Sequence, residues 1–109
     1  MTQDELLTEL RSLETKLRSA EMQSYFSSKK QETRDRFVSL RGEVSVAINK
    51  LSNAELQEIA DKLDELSGDL EAGIANLKDK IEKLNNAIAV LNTISRVLGL
   101  VARVLVLIA

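Results

Sequence analysis

KLSNAE, residues 50–55, offers the one good short turn in this chain, and the fold is read outward from it. Ser52 and Glu55 have the spacing of a capping box: the hydroxyl takes the N–H three residues on, and the carboxylate reaches back. Thr2 and Glu5 repeat that spacing near the start of the chain. Two boxes predict two helices, one over residues 3–50 and one over 54–108, joined by a turn at 51–54. No proline interrupts either helix, and only Gly42, Gly68, Gly73 and Gly99 weaken them. At ~1.5 Å per residue each would be a rod roughly 70 to 85 Å long.

The second helix carries the cleaner pattern. Leu56, Ile59, Leu63, Leu66, Leu70, Ile74, Leu77, Ile81, Leu84, Ile88 and Leu91 step by threes and fours, as a coiled-coil seam does. Leu66, Leu70 and Ile74 make two successive fours, a stutter beside Gly68 and Gly73 that predicts local unwinding. The first helix has two apolar patches, Leu6–Leu10–Leu13–Leu17–Ala20 and Phe37–Leu40–Val44–Ile48–Leu51. Between them SSKKQETRDR, residues 27–36, has no apolar side chain. Either the helix runs through it with a wet seam, or it breaks there and adds a third helix.

Charge favours the two long helices folding back on each other. Residues 55–72 hold seven acids against Lys62 alone, and a turn at 51–54 sets Arg34, Arg36, Arg41 and Lys50 opposite them. The same register brings Arg96 and Arg103 near Glu9 and the Asp4–Glu5 pair. Each exposed pair contributes only ~0.2 to 1 kcal/mol, so the charges select a direction more than they stabilise it. The expected fold is therefore all-α: a long antiparallel, coiled-coil-like helical hairpin in a single domain, associating into a multi-helix bundle.

The tail, residues 87–109, holds seventeen apolar side chains out of twenty-three. Asn92, Arg96, Gly99 and Arg103 step by 4, 3 and 4, which confines them to one narrow stripe of a helix. The seam of Leu6, Leu7, Leu10, Leu13, Leu17 and Ala20 is too narrow to cover the rest of that cylinder. Half a dozen exposed Leu, Ile or Val side chains would forgo something near 10 kcal/mol, at ~1.5 to 3 kcal/mol each. A lone hairpin thus predicts that the tail meets another chain, another helix or a membrane. Ile94, Val97, Leu98, Val101, Leu105 and Ile108 are the expected self-association or lipid contacts, and Asn92, Arg96 and Arg103 the polar stripe.

A conventional span is disfavoured, because a span needs about 20 apolar residues with few or no charges, and Arg96 and Arg103 interrupt the tail. Oligomeric insertion with the arginines toward a wet lumen avoids that cost, as does lying flat with them at anionic headgroups. The arrangement is similar to that of helical pore-forming toxins and some small phage membrane proteins, although no motif ties this chain to either.

Other function classes find little support. Cysteine and histidine are both absent, which removes disulfides, thiolate chemistry and imidazole acid–base work. DELSGDLE, residues 64–71, fails as a calcium loop: Leu66 stands where an oxygen ligand is required, and the glycine falls one position early. The net charge is −2, and Lys29, Lys30, Arg34 and Arg36 are interleaved with Glu32 and Asp35, so nucleic acid is not an expected partner. Tyr25 and Phe26 read as local packing. MTQDELLTEL lacks the basic start and apolar run of a cleavable signal peptide, which places the chain in the cytoplasm, free or membrane-associated.

The sequence therefore predicts a non-enzymatic, self-assembling helical protein. It has no catalytic residue, cofactor, metal or small-molecule substrate, and it acts as a structural or interaction scaffold and homo-oligomer. The alternative is a membrane-active protein, pore-forming or holin-like, whose amphipathic C-terminal helix binds or inserts into lipid as an oligomer.

Overall fold

A computed structural model describes residues 1–105, and these form five helices and no strand. They are α1 (Gln3–Leu17), α2 (Ala20–Ser27), α3 (Gln31–Asn53), α4 (Leu56–Lys83) and α5 (Ala87–Leu105). The long rods are absent: the molecule measures 44 × 23 × 19 Å, because the chain reverses direction within both expected helices.

The helix expected over 3–50 is three helices. The Thr2–Glu5 capping box opens α1 as the spacing predicts. The helix then stops at Arg18, and Ser19 takes an extended conformation and accepts the Met22 N–H at 3.3 Å, starting α2. Serine competes for backbone donors at a helix start, and here that competition wins over continuation. The second break falls at Ser28–Lys30, inside the charged SSKKQETRDR stretch, so that segment is only partly helical. Short α2 turns the corner with Met22 and Phe26 buried, and Phe26 stacks on Phe37 with centroids 4.1 Å apart. This pairing fixes where α3 begins its return. The second apolar patch, Phe37 to Leu51, is buried as one face of α3.

The turn at 50–55 is shorter and later than expected. Ser52 does not cap a helix; it lies in the last turn of α3, and α4 begins at Leu56 behind Glu55 with no side-chain cap. Instead the Gln3 amide donates to the carbonyls of Leu51 and Ala54, at 2.8 and 2.9 Å, and satisfies the end of α3 from α1.

α4 is continuous through the expected stutter, with Ile59, Leu63, Leu66, Leu70, Ile74, Leu77 and Ile81 buried. Gly73 is buried too. A Cβ there would lie 3.4 Å from Val97 Cγ2 and 3.7 Å from Leu100 Cδ1, so this glycine permits the close approach of α5. The seam fails at its ends: Leu56 and Ile88 are exposed, and Leu84 terminates the helix. Leu84 adopts a left-handed conformation, φ 44° and ψ 43°, rare for a leucine. Asn86 then caps α5, its side-chain oxygen accepting the Ala89 N–H at 3.0 Å. The helix expected over 54–108 is thus two helices forming a tight hairpin.

Around the bundle the order is α1–α4–α5–α3. Contacts of Met1 with Ser67 and Glu9 with Lys78 show α1 and α4 running parallel. Arg36 bonds Asn92 at 2.8 Å, and residues 43–53 lie beside 95–105, so α3 and α5 are also parallel. α1 and α3 run antiparallel, as the bonds from Gln3 to Leu51 and from Arg18 to Ser45 show. The helices joined at Ala54, α3 and α4, do not pack side by side; their link crosses the diagonal. The expected charge register accordingly does not form. Among the described residues the ion pairs are Lys62–Glu65, Lys83–Asp79 and Glu9–Lys78, and none involves Arg96 or Arg103. Those arginines are on α5, diagonally across from the Glu9 and Asp4–Glu5 positions of α1.

Candidate association surface

α5 has two faces. Val90, Leu91, Thr93, Ile94, Val97, Val101, Val104 and Leu105 are buried against α4 and α3. That face of the helix is therefore covered by its own chain, through two neighbours instead of one. Asn92, Ser95, Arg96, Gly99, Ala102 and Arg103 are exposed.

Of the expected association residues, Ile94 and Val97 are core, at 1 and 2 % exposure. Leu98, Val101 and Leu105 line a groove between α3 and α5. Leu98 is half-buried, while Val101 and Leu105 form the floor. Ile108 lies outside the described residues. The groove has a volume of about 830 Å³, and its remaining lining is Glu43, Val46, Ala47, Lys50, Asn53, Ser95, Gly99 and Ala102.

α3 supplies half of this surface and was not legible as a participant. Val46 is 52 % exposed, and Val38, also on α3 but outside the groove lining, is 54 % exposed. Both valines lie off the Phe37–Leu40–Val44–Ile48–Leu51 seam. That displacement was the available signal: a β-branched apolar residue set on a wet helix face. On the α5 wall the side chains are small, Ser95, Gly99 and Ala102, and nothing lies within 4 Å of where a Gly99 Cβ would be. Two acid–base positions, Glu43 and Lys50, stand two turns apart on the α3 rim, and both are exposed.

A second cleft, about 490 Å³, opens between α1 and α4 and is lined by Asp4, Glu5, Glu9, Glu71 and Lys78 among others. The Lys78 ammonium is paired with Glu9. Glu5 accepts the Thr2 backbone N–H at 3.1 Å, and that bond first, then the Thr2 hydroxyl, holds its carboxyl below the ordinary value. These carboxylates serve a cap and an ion pair. Among the described residues no three acidic side chains are gathered as metal ligands would be.

Ala87–Leu105 is the one described helix long and apolar enough to cross a membrane, and somewhat under half of it is buried in the bundle. No family model, curated protein or solved structure matches this chain.

Proposed function

We propose that this protein is a non-catalytic helical bundle that works by self-assembly, with the α3–α5 groove as its contact surface. The observation that carries this reading is the groove itself. It has an apolar floor of Val101 and Leu105, an α3 wall carrying Val46 and Ala47, and an α5 wall of Leu98 with the small residues Ser95, Gly99 and Ala102. Exposed valine on a helix face stabilises nothing within the chain, and covering it on association removes apolar surface from water. The rim favours a copy of the same chain over an unrelated partner, because it carries one acid and one base of its own. The role of the C-terminal helix is accordingly split. Its Ile94–Val97 face closes the monomer, and its Leu98–Ala102 side contributes to assembly.

Light scattering coupled to size exclusion tests this. The wild-type chain is expected to run as a concentration-dependent oligomer, and Val46→Asp as a monomer with unchanged helicity. A wild-type protein that stays monomeric up to its solubility limit overturns the proposal.

A second reading, lipid engagement, draws on one observation: α5 meets the length and composition of a bilayer span. The helix would have to leave α3 and α4, pivoting at Leu84–Asn86. Co-sedimentation and dye release with anionic and neutral liposomes test it. Leakage by the wild-type chain supports lipid engagement, whereas an oligomer that ignores both vesicle types rejects it.

A further inference from the structure

Resting on the self-assembly just proposed, we infer that the groove's occupant is a second copy laid antiparallel on the first. A two-fold axis passes between Val46 and Ala47, and Glu43 of each copy meets Lys50 of the other.

The spacing along α3 is what requires this geometry. Glu43, Val46, Ala47 and Lys50 all line the groove, and Glu43 and Lys50 stand at equal distances from the midpoint of the two apolar residues. Seven residues rise ~10.5 Å at ~1.5 Å each, two turns, so both charges sit on one side of the helix. A two-fold contact is isologous: residue i touches j while j touches i. Laying α3 antiparallel over its copy therefore sets acid on base at both ends and valine on the groove between them. A parallel arrangement would set Glu43 on Glu43 and Lys50 on Lys50. Neither side chain takes part in an ion pair within the chain among the described residues, so both are available. On the far wall Gly99 leaves open space where a larger residue would hold the partner's Val46 away.

Charge reversal separates these arrangements without touching the core, since both residues are exposed. Glu43→Lys and Lys50→Glu each replace two attractions by two repulsions. Each variant is expected to weaken the dimer about tenfold, as a few exposed pairs of ~0.2 to 1 kcal/mol would sum. The swapped variant Glu43→Lys/Lys50→Glu is expected to return to within about threefold of wild type, and an equimolar mixture of the two single variants to form the heterodimer. Sedimentation equilibrium at low and high salt reads all four, with circular dichroism confirming the fold.

Singles that weaken association and a swap that restores it establish the antiparallel register. Singles and a swap that all associate like wild type, with a mixture that associates more tightly than any of them, overturn it in favour of a parallel contact. If Val46→Asp abolishes the oligomer while neither charge reversal changes it, the register is wrong although the groove is right. A monomeric wild type removes both.

Discussion

The two faces of α5 are built from neighbouring residues and do opposite things. Arg96 is exposed and Val97 is 2 % exposed, one residue and one-quarter of a turn apart. The inward face is aliphatic apart from Thr93, with Val90, Ile94, Val97, Val101 and Val104 filling the space between α4 and α3. The outward face mixes small residues with arginine. The difference shows that this helix is not greasy all round. It is a core helix whose apolar sector is wide because it has two neighbours, and the rest of it faces solvent.

The strongest test of that contrast is a pair of adjacent substitutions. Val97→Asp puts an unpaired carboxylate into the core and is expected to cost more than ~4 kcal/mol, abolishing the cooperative thermal transition. Arg96→Asp, one residue earlier, is expected to change stability by no more than ~0.5 kcal/mol. Equal effects would mean that α5 is not seated as described.

Next in size is Leu91→Ala. Leu91 is fully buried, so its truncation is expected to cost about 2 to 5 kcal/mol, lowering the melting temperature by roughly 10 °C or more. Asn86→Ala removes the α5 cap and is expected to cost about 1 kcal/mol by chemical denaturation. A result near zero would mean that the hairpin turn is held by packing alone.

Two glycines sharpen the comparison further, because glycine-to-alanine gains up to ~1 kcal/mol in any helix interior. Read in the Val46→Asp background, where no partner is seated on the groove, Gly99→Ala adds a methyl into open space on the outward face and should realise most of that gain. Gly73→Ala meets Val97 at 3.4 Å beneath the inward face and should realise less of it, so the melting temperatures should rank Gly99→Ala above Gly73→Ala.

The smallest expected effect is on pH dependence at the other end of the bundle. The Glu5 carboxyl is held below its ordinary value by Thr2. Its contribution is therefore complete above the ordinary glutamate range and is lost as pH falls through the lowered folded value. Thr2→Ala should flatten that part of the acid limb of stability, measured by urea midpoint against pH.

Much of the helix content was legible because its signals are local. The α4 seam from Ile59 to Ile81 and the α3 seam from Phe37 to Leu51 are buried as their spacing predicts. The Thr2–Glu5 box forms because every group it needs lies within one turn. The breaks were harder. Ser19 and Asn86 are ordinary polar residues within helical patterns, and each becomes a cap only where continuing the helix would carry apolar residues away from the core. Leu84 was read as seam, since nothing local recommends a left-handed leucine. Its conformation is imposed by the need to fold α5 back onto α4, which returns Val90 through Leu105 to apolar surroundings.

The candidate surface divides in the same way. Leu98, Val101 and Leu105 were visible as apolar tail residues, but Val46, Ala47, Glu43 and Lys50 belong to it only because α3 lies parallel to α5.

By itself, then, the sequence determined that the chain is helical, which seams are apolar, and that the tail needs broad cover. Each follows from periodicity and capping within a few residues. Only the tertiary structure decided where the helices stop and which ones meet. That choice is a competition among distant apolar faces, settled by burying most of them at once: with the chain broken into five helices, α3 and α4 both pack on α5, where a single long partner could not cover it.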